Sequence, residues 1–148
     1  MMTKDVLVRV KGTQIMEDED DTVEMITSGT VHEKNGKKYL LYDESIGEGT
    51  EPTHNIVKIW PDKIEVLKHG LVESHMTFEC GKKHMANYNT PVGLIILGLT
   101  TSALKVEEDE STLGISISYS LEMNGEYVSG CCLEITASAR GESLLKLS

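Results

Sequence analysis

The side chains best suited to catalysis or metal binding are scattered along this chain. The sequence contains no G-x-S-x-G nucleophile motif, no glycine-rich phosphate-binding loop and no H-E-x-x-H zinc motif. The histidines form no i, i+2 pair of the kind that a metal site on one strand uses, which leaves open a site assembled from separate strands; they are His32, His54, His69, His75 and His84. We therefore predict a protein that is not an enzyme, with no catalytic residue, no metal site and no cofactor.

Two further clusters have reactive or ligating groups but lack the required spacing. The cysteines, Cys80, Cys131 and Cys132, are odd in number and show no C-x-x-C pair, so we expect free thiols. The acidic run at residues 17–21 lacks the glycine and the final glutamate that an EF-hand loop places at its sixth and twelfth positions. We expect this run to be a solvated turn.

The charge balance bears on partners and on location. The chain has 24 acidic and 14 basic side chains, a net charge of -10 and a pI near 4.9. Such a surface repels a phosphate backbone, so we expect no nucleic-acid partner. No stretch approaches the roughly 18 apolar residues of a membrane helix, and the first residues lack the apolar core of a signal peptide. We expect a cytoplasmic protein with no membrane partner.

The composition favours strands over helices. Valine, isoleucine and threonine together number 35, against four alanines, and β-branched residues prefer the extended backbone. A chain of 148 residues suits one domain. We therefore predict a single all-β domain over 1–148, with 1–3 and 140–148 as peripheral tails.

Alternating apolar residues, separated by short turns, divide the chain into consecutive strands. The turn signals are strongest at Asn35-Gly36 and Asn124-Gly125, pairs typical of two-residue hairpins. Lys83–Thr90 is either a loop or a strand, which gives nine or ten strands. Because an up-and-down meander closes antiparallel only with an even number, we predict an antiparallel meander β-barrel of eight to ten strands. A two-sheet sandwich is the alternative.

The strand register also predicts which side chains point inward and which charges share a barrel end. The inward candidates for ligand binding are Met25, Tyr42, Met76, Phe78, Tyr119 and Leu133, and the inward set of the last strand begins at Tyr127. Alternate turns of a meander lie at the same end. Residues 17–21 should therefore share one end with Asp43, Glu44, Glu48 and Glu51, while Lys34, Lys37, Lys63, Lys82 and Lys83 lie at the other. The run Glu107–Glu110 joins the acidic end only if there are nine strands.

One segment resembles a known family. Phe78-x-x-Gly81 followed by Tyr88-x-Thr90-Pro91-x-Gly93 is similar to a pattern of the YwiB-like family, small uncharacterised bacterial proteins with lipocalin-like, or calycin, barrels. The similarity extends over almost the whole chain. It implies a lipocalin-like or calycin-like barrel and no particular function, because the family has none established.

Two functional hypotheses follow from the predicted barrel. The first is that the interior binds a small apolar or amphipathic molecule, since barrels of eight or more strands have room for one. The second is a protein-interaction or homodimer module with a filled barrel, in which a partner covers the strand Leu94–Leu99, whose residues are apolar on both faces. An enzyme built from residues at the barrel mouth ranks third.

Overall fold

The strands of this protein follow one another with short connections, as the alternating pattern requires. A computed structural model describes residues 2–45, 49 and 51–140. Its elements are β1 (Met2–Ile15), β2 (Asp20–Lys34), β3 (Lys37–Glu44), β4 (Thr53–Ile59), β5 (Ile64–Gly70), β6 (Glu73–Phe78), β7 (Lys83–Thr90), β8 (Gly93–Glu108), β9 (Thr112–Met123) and β10 (Glu126–Ala139). No helix among these residues is long and apolar enough to cross a membrane.

Each strand pairs with the next, and β10 closes the barrel on β1. Every pairing is antiparallel, including the closing one, in which Val8 lies opposite Ala137. Lys83–Thr90 is a strand, so the described part of the chain has ten strands. The prediction of an all-β, up-and-down antiparallel barrel is confirmed, at the upper limit of the expected strand count.

Both asparagine-glycine pairs form the expected turns. Asn35 and Gly36 have φ values of 54° and 77°, and Asn124 and Gly125 have values of 51° and 86°. Positive φ at both central residues is the geometry that these two residue types tolerate best. The prediction of a peripheral N-terminal tail is wrong for residues 2 and 3, because β1 begins at Met2; residues 141–148 lie outside the described part of the chain.

The last strand departs from the predicted register at one point. A β-bulge lies between Tyr127 and Ser129, so that Tyr127 pairs with Glu122 on the outer surface while Ser129 faces the core. Tyr127 is 68% exposed. The prediction that it points inward is wrong, because the extra residue of a bulge exchanges the inner and outer faces. From Ser129 onward the inward set is as expected.

The barrel has two distinct ends. The upper end carries the turns after β1, β3, β5, β7 and β9, and the lower end carries the other turns, the start of β1 and the end of β10. Residues 17–21 and Asp43 therefore lie at the upper end, and the five predicted lysines at or near the lower end; Glu48 lies outside the described residues. With ten strands, Glu107–Glu110 belongs to the lower end, where Glu108 pairs with Lys38.

An apolar core occupies most of the lower half of the barrel, where a small cavity of about 80 Å³ remains beside Val6, Leu113 and Ala137. Leu40, Val57 and Ile64 have no exposed surface, and they come from three neighbouring strands near the β2–β3 and β4–β5 turns. Gly29 lets the chain pass close to this core. A Cβ there would stand 2.5 Å from the carbonyl oxygen of Leu41 and 2.7 Å from Cγ2 of Val8. The side chains of the upper half leave more unfilled space.

Candidate functional site

The upper half of the barrel encloses a cavity of about 350 Å³. Glu44 and Met123 are the last residues of β3 and β9 and both line it, so the cavity reaches the upper end. All six side chains predicted to face inward for ligand binding lie on its wall: Met25, Tyr42, Met76, Phe78, Tyr119 and Leu133. Their inward direction follows from the register. That they bind a ligand stays a prediction.

Most of the cavity wall is apolar, with several aromatic rings. The Phe78 and Tyr119 rings pack in a tilted arrangement with centroids 4.9 Å apart and an interplanar angle of 59°, a geometry that aromatic pairs favour. Phe78 is buried, whereas Tyr119 is half-buried because it faces the cavity. Burial raises the pKa of Tyr119, and the neighbouring Cys131 thiol raises it further. The phenol therefore stays protonated at neutral pH.

One part of the wall carries charge. The Lys68 ammonium donates a hydrogen bond of 2.7 Å to Oε1 of Glu44 and another of 2.8 Å to the side-chain oxygen of Asn55. The Asn55 amide in turn donates to the same Glu44 oxygen at 3.2 Å and to the Thr53 carbonyl at 3.3 Å. We call Lys68, Glu44 and Asn55 the polar triad. It gives the otherwise apolar wall one connected group of donors and acceptors.

The triad is poorly accessible to bulk water. Asn55 is 1% exposed, and the side chains of Lys68 and Glu44 are 14% and 33% exposed. Charges in such a position interact more strongly than surface pairs because less solvent screens them. The three residues come from β3, β4 and β5, which are adjacent in the barrel. An amphipathic molecule in the cavity would meet polar atoms on this side and apolar atoms elsewhere.

The charge of Glu44 affects the pKa of two tyrosines that line the cavity. Burial raises the pKa of Tyr42, and the negative charge of Glu44 raises it further. The pKa of Tyr88 is raised by the same two causes in the same order. Both phenols are therefore protonated at neutral pH. The field of the Glu44 carboxylate extends into the cavity rather than only toward solvent.

The triad residues were not among the predicted site residues, although the sequence carries one signal for them. Glu44 continues the inward series Leu40, Tyr42, and Lys68 continues the inward series Ile64, Val66. A charged residue at an inward position is uncommon unless it is paired. The sequence alone does not show that these two positions lie side by side, because that depends on the pairing of β3, β4 and β5.

The remaining reactive groups lie mostly outside the barrel. Four histidine rings each approach a carboxylate within 3.0 Å; the pairs are His54–Asp43, His69–Glu73, His75–Glu65 and His84–Glu79. All three cysteines are free thiols, as predicted. Within the described residues, no three or more His, Cys, Asp or Glu side chains are grouped so that they could hold a metal ion.

The fold and the site together define a class of protein, a closed ten-stranded antiparallel barrel with an internal cavity near one end. Comparison with known proteins agrees with the β-barrel fold. It belongs to a family described as "Domain of unknown function (DUF1934)", whose model matches residues 8–135. The predicted resemblance to the YwiB-like family is confirmed by comparison with the sequence of one relative and with a crystal structure.

The first relative is the uncharacterized beta-barrel protein YwiB of Bacillus subtilis (strain 168). The two sequences are 27% identical over 127 residues, which cover 84% of this chain and 88% of that protein. The second comparison is with the crystal structure of ywiB protein from Bacillus subtilis, with a TM-score of 0.80 and 25% sequence identity over 93% of this chain and 92% of the other. The function of the family is not known.

Proposed function

We propose that this protein is a non-enzymatic binding protein that holds a small amphipathic molecule inside the barrel. The observation that carries this proposal is the cavity of about 350 Å³, with an apolar wall and one polar triad. Small-molecule sites are typically concave, of roughly 300–1,000 Å³, and mostly apolar with a few placed polar groups. The cavity has each of these properties.

The contrast between the two halves of the barrel supports the proposal. The lower half leaves a cavity of about 80 Å³, and Leu40, Val57 and Ile64 there are fully buried. Filling the upper half in the same way would gain further burial and packing energy. Instead the wall there includes a lysine and a glutamate, whose burial costs free energy. A binding function gives a reason for both the space and the charges.

The first experiment looks for a retained molecule. The protein is purified from its own host and examined by native mass spectrometry, followed by thermal-shift assays with a panel of lipids and metabolites. We expect either an added mass or a rise in melting temperature, because a ligand that binds only the folded state stabilises it. Neither an added mass nor any shift across the panel would overturn the proposal.

A matched pair of variants locates the binding. Ile95 lines the cavity, while the next residue, Ile96, points outward and is 41% exposed. Ile95→Trp should fill part of the cavity and abolish or weaken binding of the ligand found in the first experiment. Ile96→Trp adds the same side chain to the outer surface and should leave binding unchanged. Equal binding by both variants would place the ligand outside the barrel.

A homodimer is the second candidate function, and one observation favours it. The outward-facing side chains of Leu94 and Ile96 on β8 are exposed, and so are Met85 on β7 and Tyr127 on β10. Apolar groups gathered on one face often mark an interaction surface. Sedimentation velocity tests this hypothesis. A dimer that dissociates in the variant Ile96→Glu would support it, and a monomer at high protein concentration would contradict it.

A further inference from the structure

The charges around the cavity constrain the head group of the ligand. Within the polar triad, the positive charge of Lys68 and the negative charge of Glu44 balance, since the two side chains are directly hydrogen-bonded at 2.7 Å. A ligand anion would compete with Glu44 for the lysine, and a ligand cation would compete with Lys68 for the glutamate. The triad by itself therefore accepts a head group of either sign.

The end of the barrel through which the cavity is reached is acidic. The described segments that form this end contain ten aspartates and glutamates and one lysine, Lys68; the segments are 12–23, 43–45, 51–54, 68–74, 87–96 and 123–126. We call the exposed acids at 17–21, together with Glu51 and Glu126, the acidic rim. Charges of one sign around a cleft attract ions of the other sign and repel their own. The rim favours cations.

The aromatic wall acts in the same direction. Tyr42, Phe78, Tyr88 and Tyr119 all line the cavity. The face of an aromatic ring carries partial negative charge and attracts cations, most strongly where water is excluded. Tyr42 lies two residues before Glu44 on the inward-facing side of β3 and lines the same cavity. A cation beside Glu44 would thus also be near an aromatic ring.

We propose that the ligand is an amphipathic organic cation, with its apolar body in the cavity and an ammonium-type head group at Glu44. This inference rests on the proposed function, because it concerns the same cavity. It adds the chemical class of the ligand. Two independent features carry it, the acidic rim and the aromatic side chains of the wall, and the Glu44 carboxylate is the acceptor that places the head group.

The test uses three probes that share one alkyl chain. Octylammonium, 1-octanol and octanoate differ only in a positive, neutral or negative head group, and binding of each is measured by isothermal titration calorimetry. We expect octylammonium to bind most tightly, at least about tenfold more tightly than octanoate. Its affinity should fall as salt is added, because salt screens the rim. Octanol should bind with an affinity that salt does not change.

Variants of Glu44 and Asp43 test whether the preference for a cationic head group depends on the triad. Glu44→Gln should weaken octylammonium binding about tenfold, since a charge-assisted hydrogen bond is lost. It also frees Lys68, so octanoate should bind more tightly than before and the order of the two probes should reverse. Asp43→Asn is the matched control: it removes the same charge from the preceding residue of β3, which points outward and is exposed. It should change each affinity by less than about twofold.

Glu44→Gln leaves Lys68 without its carboxylate partner, so a double variant provides a second test if the single variant does not fold. In the double variant Glu44→Gln/Lys68→Met the wall is neutral, and we expect octanol to bind as in the parent protein with no preference for octylammonium. Octanoate binding as tightly as octylammonium in the parent, or octylammonium binding unaffected by Glu44→Gln, would overturn the cation proposal while leaving the binding function in place. Failure of all three probes to bind would count against both.

Discussion

The polar triad makes a specific prediction about stability. In Lys68→Met, Glu44 loses the ammonium at 2.7 Å and the Asn55 side-chain oxygen loses its donor at 2.8 Å. A hydrogen bond to a charged group contributes about 1.5–3 kcal/mol, and a buried acceptor left without a donor costs about 1–3 kcal/mol. Water can reach Glu44, which is a third exposed, but not Asn55, which is 1% exposed. We therefore take the low end of the first range, about 1.5 kcal/mol, for Glu44 and at least about 1 kcal/mol for Asn55, and expect a loss of about 2.5 kcal/mol or more.

The assay is urea unfolding followed by circular dichroism, for Lys68→Met, Glu44→Gln and the double variant. Because the two side chains interact directly, the double variant should lose less than the sum of the single ones, with a coupling of about 1–2 kcal/mol. Lys105→Met is the control, since Lys105 and its partner Glu107 are both largely exposed, and it should change the unfolding free energy far less. A loss below about 0.5 kcal/mol in Lys68→Met, with no coupling, would refute the reasoning.

Three further predictions concern other parts of the barrel. Gly29→Ala should prevent or strongly impair folding, as measured by urea unfolding, because its Cβ would overlap a carbonyl oxygen at 2.5 Å; Gly12→Ala, where a Cβ meets nothing within 4 Å, is the control and should fold normally. Hydrogen bonds with the Gly70 backbone N–H and with the His69 ring hold the pKa of Glu73 below its usual range. The contribution of Glu73 to stability is therefore present above its unfolded-state pKa and is lost as the pH falls through its folded-state pKa. In urea unfolding at several pH values, Glu73→Gln should make the unfolding free energy fall less steeply on the acid side. Burial raises the pKa of Tyr42 and Tyr119, so the free energy of unfolding should fall as the pH rises above about 10. Ultraviolet absorbance should show that both phenols ionise together with unfolding. Ionisation of either phenol in the folded protein near its ordinary pKa would contradict this.

Much of the barrel was predictable because its signals are local. The turn at Asn35-Gly36 depends on two residues that tolerate positive φ, and the alternation along β9 depends on the period of two of an extended chain. The status of Lys83–Thr90 was less clear from its own residues. It was decided by the requirement that an antiparallel meander close with an even number of strands, and the structure agrees.

The candidate site was predictable only in part. The register placed all six predicted side chains, Met25 and Leu133 among them, on the cavity wall. The same reasoning failed at Tyr127, because one extra residue in a bulge reverses the inner and outer faces and leaves no clear mark in the sequence. It also passed over Lys68 and Glu44, whose charges look like those of any solvated strand end until the neighbouring strands are in place.

By itself the sequence determined the strand class, the order of the strands and the inward series of side chains apart from the bulge at Tyr127. The end of the barrel at which each turn lies followed once the number of strands was known. These properties follow from the geometry of a single extended chain and from the topology of a meander. Only the tertiary structure decided that β3, β4 and β5 bring Glu44, Asn55 and Lys68 within hydrogen-bond distance, and that the upper half encloses a cavity. The physical reason is that contacts across strands depend on pairing register and barrel closure, and the size of a void depends on how all ten strands pack at once.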